Sequence, residues 1–167
     1  MNLLFANPYI HSVNGFFFTS YDEYLINLSN LSGSCNQPVE EVEIEIIEGE
    51  LGQLFEACKI SQATLPLWYD EIAYLDSSEQ VELYYRCRIL GQDVQKALNS
   101  LDTDGTIFSS SLIDYAKDFV TQCGILDKLP EAMRCYFDYE LLARDLEMSG
   151  SMSEFRYLNM SFTATGF

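Results

Sequence analysis

The amino-terminal third of this 167-residue chain lacks lysine and arginine, and the first basic side chain is Lys59. Before it stand nine carboxylates, at Asp22, Glu23, Glu40, Glu41, Glu43, Glu45, Glu48, Glu50 and Glu56. The whole chain has 26 acidic and 9 basic residues, a formal net charge of −17. Such a surface repels nucleic acid and anionic membranes, so neither is expected as a ligand. A basic protein surface is the expected partner.

Other features are also missing, and each excludes a class of protein. No apolar run approaches the roughly 20 residues that a membrane helix needs. The five cysteines include no CxxC pair, which argues against zinc and favours reduced thiols in the cytoplasm. His11 is the only histidine, and the sequence contains no nucleophile elbow, P-loop or dinucleotide fingerprint. The sequence therefore predicts a cytoplasmic protein that is not an enzyme and holds no cofactor or metal.

What the chain does contain is enough apolar material for a core. Hydrophobic residues make up 48% of it and aromatic residues 14%. A disordered acidic tail would be poor in aromatic residues, so the charge is expected on a folded surface. Repulsion between carboxylates about 6.5 Å apart costs about 2.5 kcal/mol at a surface-like dielectric. A fold accepts many such pairs only where the negative field is useful or harmless.

The pattern of the first 60 residues predicts a small α+β region. Ser20 and Glu23 form a capping-box pair, followed by apolar residues at helical spacing from Tyr21 to Leu31. Alternation of β-branched residues predicts a strand after the turn-rich segment that ends at Pro38. The predicted elements are strands at 3–6 and 16–19, a helix to residue 31, a loop at 32–38, a strand at 39–47 and a helix at 50–60.

Two further regions follow. Residues 61–101 predict only helices, one of them beginning at Ser77 or Ser78 and ending at Gly91. After Gly105 comes a helix with Gly124 at its end, and alternation at 154–163 predicts a closing strand. The predicted buried positions are Leu83, Tyr84, Cys87 and Leu90 in the middle region, and Leu112, Ala116, Phe119, Val120 and Cys123 in the last. The expected class is α+β, divided at 1–60, 61–104 and 105–167.

Rows of carboxylates recur on the predicted strand, helices and loop. Alternate positions of the strand place Glu41, Glu43 and Glu45 on one face and apolar residues on the other. No lysine interleaves the rows, unlike most solvated charged faces. The other rows are Asp76, Glu79 and Glu82 at every third residue of a helix, Asp114 and Asp118 at i, i+4, and Asp102 and Asp104 in a loop. Together they favour a useful negative field and predict a surface that imitates phosphates.

The predicted partner-binding residues are these rows and the other carboxylates of the first two regions: Glu40, Glu41, Glu43, Glu45, Glu48, Glu50, Glu56, Asp70, Glu71, Asp76, Glu79, Glu82, Asp93, Asp102, Asp104, Asp114 and Asp118.

Several other interpretations fit an acidic chain. A solvated strand face or a halophilic surface needs no partner, and a carboxylate pair could serve a small acidic hydrolase. The segment from Ser100 to Ser111 resembles an EF-hand loop, with Gly105 at its sixth position. Serine at the first and last ligand positions would leave calcium affinity poor, so a plain turn is expected.

A set of separated motifs in the last region carries a family resemblance. They are Asp114-Tyr115-Ala116, Cys123-Gly124-Ile125-Leu126, Leu129-Pro130-Glu131, Tyr136-Phe137-Asp138-Tyr139, Ala143-Arg144-Asp145-Leu146 and Ser149-Gly150. In this order and spacing they resemble the carboxyl-terminal half of ArdA-type antirestriction proteins. Gly49-Glu50-Leu51 resembles the middle of that family, whereas Phe16-Phe17-Phe18 stands where the family usually has a tryptophan-containing strand.

The resemblance implies a function and an assembly. Proteins of this family imitate bent B-form DNA and occupy the DNA-binding groove of type I restriction–modification enzymes, protecting incoming mobile DNA. It also implies an elongated chain of three small subdomains that dimerises about a two-fold axis. The family-motif residues, expected to be structural or dimer-forming, are Tyr136, Asp138, Tyr139, Ala143, Arg144 and Asp145. The alternative is an acidic inhibitor of another basic DNA- or RNA-binding protein, such as a CRISPR effector, repressor or nucleoid protein.

Overall fold

The computed structural model describes residues 2–10, 12–31 and 39–167. His11 and the loop predicted at 32–38 lie outside these ranges. Contacts divide the chain into two compact units, Met1–Asn99 and Ser100–Phe167, and each combines helices with a three-stranded sheet. This composition confirms the α+β class. The division into three subdomains stays a prediction. No helix in the described ranges is long and apolar enough to cross a membrane.

The sheet of the first unit has the strand order β2-β1-β3, with every pair antiparallel. Strand β1 is Leu3–Pro8, β2 is Phe16–Phe18 and β3 is Val42–Glu48. One face of the sheet is buried, because its strands alternate between apolar and exposed side chains. The buried side chains on this face include Leu4, Ala6, Phe18, Val42 and Ile44. All three strands had been expected near these positions.

Helix α1, Tyr21–Asn30, begins where the capping box predicted. The Ser20 hydroxyl accepts a hydrogen bond from Glu23 N at 3.2 Å, as expected of an N-cap. The Glu23 carboxylate, however, accepts from Thr19 N at 2.7 Å rather than from the cap residue. The predicted apolar face was partly wrong, because Leu25 is exposed and the buried residue of the helix is Tyr24.

The rest of the first unit is helical, as predicted for residues 61–101. Its elements are α2 Gly52–Ala57, α3 Leu65–Asp70, a 3₁₀ turn Ile72–Tyr74, α4 Ser77–Tyr84, a π-helical turn Tyr85–Ile89 and α5 Val94–Asn99. Trp68 on α3 is fully buried and its ring meets Phe55 of α2 edge-on, with centroids 5.0 Å apart.

The π-helical turn changes which residues are buried after α4. A π turn inserts one more residue per turn, so the helical phase predicted from the sequence is lost beyond it. Consequently Tyr85, Arg86 and Cys87 are buried in succession, whereas Leu90, predicted to be buried, is 41% exposed. Tyr84 is half-buried. Gly91 follows with φ +66°, which suits the predicted helix end.

The second unit packs three helices with a sheet of order β4-β6-β5. Its elements are β4 Thr106–Phe108, α6 Leu112–Gln122, a 3₁₀ turn Leu126–Lys128, α7 Glu131–Arg134, α8 Tyr139–Met148, β5 Met152–Tyr157 and β6 Met160–Thr165. Leu112 and Ala116 of α6 pack with Ala143 of α8 at the centre of its core. Phe119 and Cys123 had been predicted to face this core but are exposed.

The single closing strand predicted at 154–163 was wrong. The segment is a hairpin of β5 and β6, reversed at Leu158 and Asn159, whose φ angles are +48° and +63°. Two successive positive φ angles characterise a type I′ turn, which usually has Asn-Gly or Asp-Gly at these positions. The Leu-Asn pair gives no such signal, and neither does the short β4, so both features escaped prediction.

Candidate partner-binding surface

A row of carboxylates runs along the outer face of β3. In the register with β1, Glu45 lies opposite Phe5 and Glu43 lies opposite Asn7. Opposed residues of an antiparallel pair project from the same face of a sheet. Glu43 and Glu45 are exposed while Val42 and Ile44 are buried, so the predicted alternation is confirmed. Neighbours on this row are separated by about 6.6 Å along the strand.

Glu48 joins the same row because the strand contains a β-bulge. In a regular strand Glu48 would point toward the core, because it is an even number of residues away from the buried Val42 and Ile44. Between Ile46 and Glu48 the register shifts, so that Leu3 pairs with Glu48 and Leu4 with Ile46. Leu3 shares the outer face with Phe5, and Glu48 therefore does too. The bulge adds an acidic position that strict alternation does not predict.

Strand β3 is also the edge of its sheet, and the Gln62 side chain covers the start of this edge. Its Oε1 accepts from Val42 N and its Nε2 donates to Glu40 O, both at 2.9 Å. A single amide thus reproduces the two bonds of a neighbouring strand. On the side of β3 that faces β1, the backbone N–H of Tyr9 donates to the backbone carbonyl of Glu41 at 3.5 Å. The pairing of the two chain segments therefore continues to Glu41, whose side chain adds one position to the carboxylate row.

Aromatic rings border the carboxylate row on the outer face. Phe5 of β1 and Phe17 of β2 have ring centroids 4.8 Å apart. Phe17 is 55% exposed, although it is a large apolar side chain. The outer face therefore offers a strip of negative charge beside a small apolar area.

The predicted row on α4 has a different character, because its members serve the helix. Asp76 is the N-cap and accepts from Ser78 N and Glu79 N at 2.8 and 2.9 Å. Glu79 completes the capping box by accepting from Asp76 N at 2.8 Å. Glu82 pairs with the buried Arg86, their N–O distance being 2.7 Å. The idea that this row lacks counter-charge was therefore wrong at Glu82.

The remaining predicted carboxylates of the first unit are all exposed: Glu40, Glu50, Glu56, Asp70, Glu71 and Asp93. Asp93 also accepts from Gln95 N at 3.0 Å at the start of α5, which gives it a local structural role. The unit contains 15 acidic and 4 basic residues, a formal charge of −11.

In the second unit, Asp102, Asp104, Asp114 and Asp118 are exposed as predicted. Asp114 accepts from Ser111 Oγ at 2.7 Å and from Lys117 Nζ at 3.0 Å. The hydrogen bond from Ser111, with the bond and charge of Lys117, lowers the pKa of the Asp114 carboxyl below its usual value of 3.8. Lys117 thus lies between the two aspartates of this row and pairs with Asp114, so the expectation that no lysine interleaves the rows was wrong here. The unit contains 11 acids and 5 bases, a formal charge of −6.

The family-motif residues of α7 and α8 divide into structural and exposed groups. Asp138 is the N-cap of α8 and accepts from Leu141 N at 2.9 Å. Ala143 is buried against α6, and the Tyr139 ring meets Phe137 with centroids 5.1 Å apart. Tyr136 is 82% exposed. The other two, Arg144 and Asp145, are exposed as well.

Two charged residues with clear structural roles were not predicted from the sequence. Arg86 is buried within the π-helical turn. Glu154 Oε2 accepts from Leu112 N at 2.9 Å, so a strand carboxylate completes the first turn of α6. The two residues are 42 positions apart, and no local pattern connects them.

Within the described ranges, no group of three or more His, Cys, Asp or Glu side chains is placed to hold a metal ion. Ion pairing to lysine and arginine is the chemistry that the exposed carboxylates support.

Comparison with known proteins identifies the family of the chain. No curated protein matches the chain. The sequence profile described as antirestriction protein (ArdA) matches residues 10–157, which is most of the 167 residues. The chain therefore belongs to the ArdA family of antirestriction proteins.

Proposed function

We propose that this protein is a DNA mimic that occupies the DNA-binding groove of type I restriction–modification enzymes. By doing so it blocks restriction and modification of incoming mobile DNA. It acts in the cytoplasm of the bacterial host, as a homodimer and without catalysis. Its carboxylates take the places of phosphates and meet the lysine and arginine side chains that normally bind the DNA backbone.

The observation that carries the proposal is the outer-face row Glu41, Glu43, Glu45 and Glu48. Glu43, Glu45 and Glu48 project from one face of an edge strand, and the bond from Tyr9 to Glu41 continues the row. Their spacing of about 6.6 Å resembles the separation of successive phosphates along a DNA strand. Two features of the strand, alternation and a bulge, place carboxylates on one side.

The total charge is of the right size for this function. Duplex DNA carries one charge per about 1.7 Å of its axis, so the net charge of −17 corresponds to about 29 Å of duplex. A dimer doubles this length. The other exposed acids named above, including Glu56, Asp70 and Asp118, extend the negative field and steer a cationic groove toward the protein.

Competition with DNA tests the proposal directly. A fluorescent duplex carrying the recognition site is bound to a purified type I methyltransferase core, and the protein is added at low and at high salt. We expect displacement at low salt and a weaker effect as salt screens the carboxylates. Circular dichroism verifies that the added protein is folded.

Two outcomes would contradict the proposal. If folded protein leaves the duplex bound at low salt, the type I groove is not its target. If it displaces the duplex only when the enzyme is denatured or aggregated, mimicry is also excluded. In either case, the same assay with a CRISPR effector, a repressor or a nucleoid protein tests the alternative of another basic target.

A further inference from the structure

Two buried cysteines of the first unit form a pair. Cys58 is the C-cap of α2, and Cys87 lies in the π-helical turn after α4. Each is 5% exposed, and the Cys58 thiol is hydrogen-bonded to the Cys87 sulfur. They are 29 positions apart in sequence, so the contact is made by the fold and not by a motif.

The pair lines a cavity of about 350 Å³ that reaches the surface. Exposed side chains at its rim include Lys59, Ser61 and Asp93. A small thiol-reactive molecule can therefore approach the two sulfurs although each is mostly covered. The two cysteines of the second unit, Cys123 and Cys135, are exposed instead of buried.

The hydrogen bond makes the two thiols chemically different. Cys58 is the donor, and this bond together with burial raises the pKa of Cys58 far above its usual value. The same bond lowers the pKa of Cys87, against the opposing effects of burial and of the Asp93 charge. Cys87 is thus the sulfur with more thiolate character, and the thiolate is the reactive form.

We propose that Cys58 and Cys87 are a redox-reactive dithiol site that takes a small-molecule disulfide as its oxidant and closes to an intramolecular disulfide. The Cys87 thiolate attacks one sulfur of the oxidant, forms a mixed disulfide and releases a thiolate. Cys58 passes its proton to the released thiolate, attacks Cys87 Sγ and releases the second thiolate. Two protein thiols are oxidised and one disulfide is reduced to two thiols.

The cross-link would join the end of α2 to the π-helical turn and close a loop within the first unit. A bond between segments this far apart restricts the unfolded chain and raises thermal stability. The carboxylate row on β3 is not part of the cavity. Oxidation is therefore expected to change stability more than partner binding, and the inference does not depend on the proposed function.

The test oxidises the folded full-length protein with oxidised glutathione, followed by alkylation, intact mass measurement and peptide mapping. Before alkylation we expect a mass loss of about 2 Da from the two hydrogens removed, and after alkylation two fewer alkyl groups than on the reduced protein. A linked pair of peptides should contain Cys58 and Cys87, and dithiothreitol should reverse the change. The midpoint of thermal unfolding should rise on oxidation and return on reduction.

Matched variants separate this site from the other thiols. The triple variant C35S/C123S/C135S retains only the proposed pair and should still lose two free thiols on oxidation. The variant C58A/C87A should not form the cross-link between the end of α2 and the π-helical turn. In the triple variant, adding C58A should slow alkylation of Cys87 at neutral pH because its hydrogen-bond donor is gone. The proposal is overturned if both thiols of the folded triple variant remain alkylatable after oxidation. It is equally overturned if only stable glutathione adducts form.

Discussion

The carboxylate of Glu82 lies 2.7 Å from the guanidinium of Arg86, and the two side chains are only 14% and 2% exposed. The pair is set at i, i+4 where α4 passes into the π-helical turn. A buried guanidinium is tolerated only with a partner, so the pair holds a charge inside a unit whose surface is acidic. Glu82 therefore contributes to the core more than to the exposed negative field.

We expect Glu82→Gln to destabilise the first unit by about 3–5 kcal/mol, because the buried Arg86 guanidinium loses the charge of the Glu82 carboxylate. Urea unfolding monitored by fluorescence of the buried Trp68 measures this change. Glu82→Leu combined with Arg86→Met removes both charges and should recover most of the loss. A single Glu82→Gln variant as stable as the parent would show that the pair is dispensable.

Reversal of three row charges, by E43K/E45K/E48K, should weaken competition with DNA at least tenfold at low salt without unfolding the protein. The three carboxylates are exposed and share the outer face of the sheet, so their replacement removes no packing from the core. Displacement curves for a fluorescent duplex measure the effect.

The control for this variant is D127K/E131K/E147K, which changes the net charge equally at exposed residues of the second unit that lie outside the predicted set. This control should weaken competition with DNA less than E43K/E45K/E48K does. Equal weakening by both variants would mean that total charge, and not the row on β3, determines binding.

Alkaline pH should unfold the first unit through its buried phenols. Burial, aided by the neighbouring Tyr21, raises the pKa of Tyr24 to about 12, and burial with the Glu23 charge raises that of Tyr69 to about 12. In the unfolded chain both titrate near 10, so the stabilisation is complete below pH 10 and is lost as pH rises toward 12. Far-ultraviolet circular dichroism against pH measures this loss.

In the variant Y24F/Y69F the alkaline transition should move to higher pH, because the phenols that ionise on unfolding are gone. Neither hydroxyl has a hydrogen-bond partner in the described ranges, so their removal leaves nothing unsatisfied. Tyr74 is 81% exposed, and Y74F is the matched control that should leave the transition unchanged. An unmoved transition in Y24F/Y69F would exclude these phenols as its cause.

Low pH should destabilise the start of α6, because Asp114 becomes protonated there. Its pKa is lowered by Ser111 and Lys117, so the ionised form is favoured in the folded state. The stabilisation is present above the ordinary pKa of 3.8 and is lost as pH falls through the lower folded value. A carboxyl carbon titration by NMR should place the pKa of Asp114 below 3.8, and K117M should move it back toward that value. An Asp114 pKa that is not lowered would contradict the hydrogen-bonded arrangement.

The hairpin turn offers a stabilising change. Leu158 and Asn159 both have positive φ, which costs a side chain such as leucine about 1 kcal/mol. Replacing them with Asn-Gly, by L158N/N159G, should raise the free energy of unfolding by about 1 kcal/mol. Thermal unfolding of the full chain measures the gain. A lower midpoint would mean that the Leu158 side chain packs more favourably than its backbone is strained.

The sequence predicted those parts of the fold that depend on neighbours in the chain. Alternation located β3, the capping pair at Ser20 located the start of α1, and Gly124 located the end of α6, because each signal is local. The π turn, the bulge before Glu48 and the bond from Leu112 N to Glu154 were not predicted, since tertiary packing decides them. For the same reason, exposure of the acidic positions was predictable but the pairing of Glu82 was not.

The position of β3 at the margin of its sheet has a second consequence. Unpaired backbone groups on such a strand can recruit the same strand of another molecule and begin aggregation. Like charges at Glu43, Glu45 and Glu48 repel an approaching copy, and Gln62 already blocks one end. Neutral substitutions along β3 would therefore remove a safeguard against self-association, whereas lysines would keep it. Selection for solubility alone would retain these glutamates even where binding tolerated their loss.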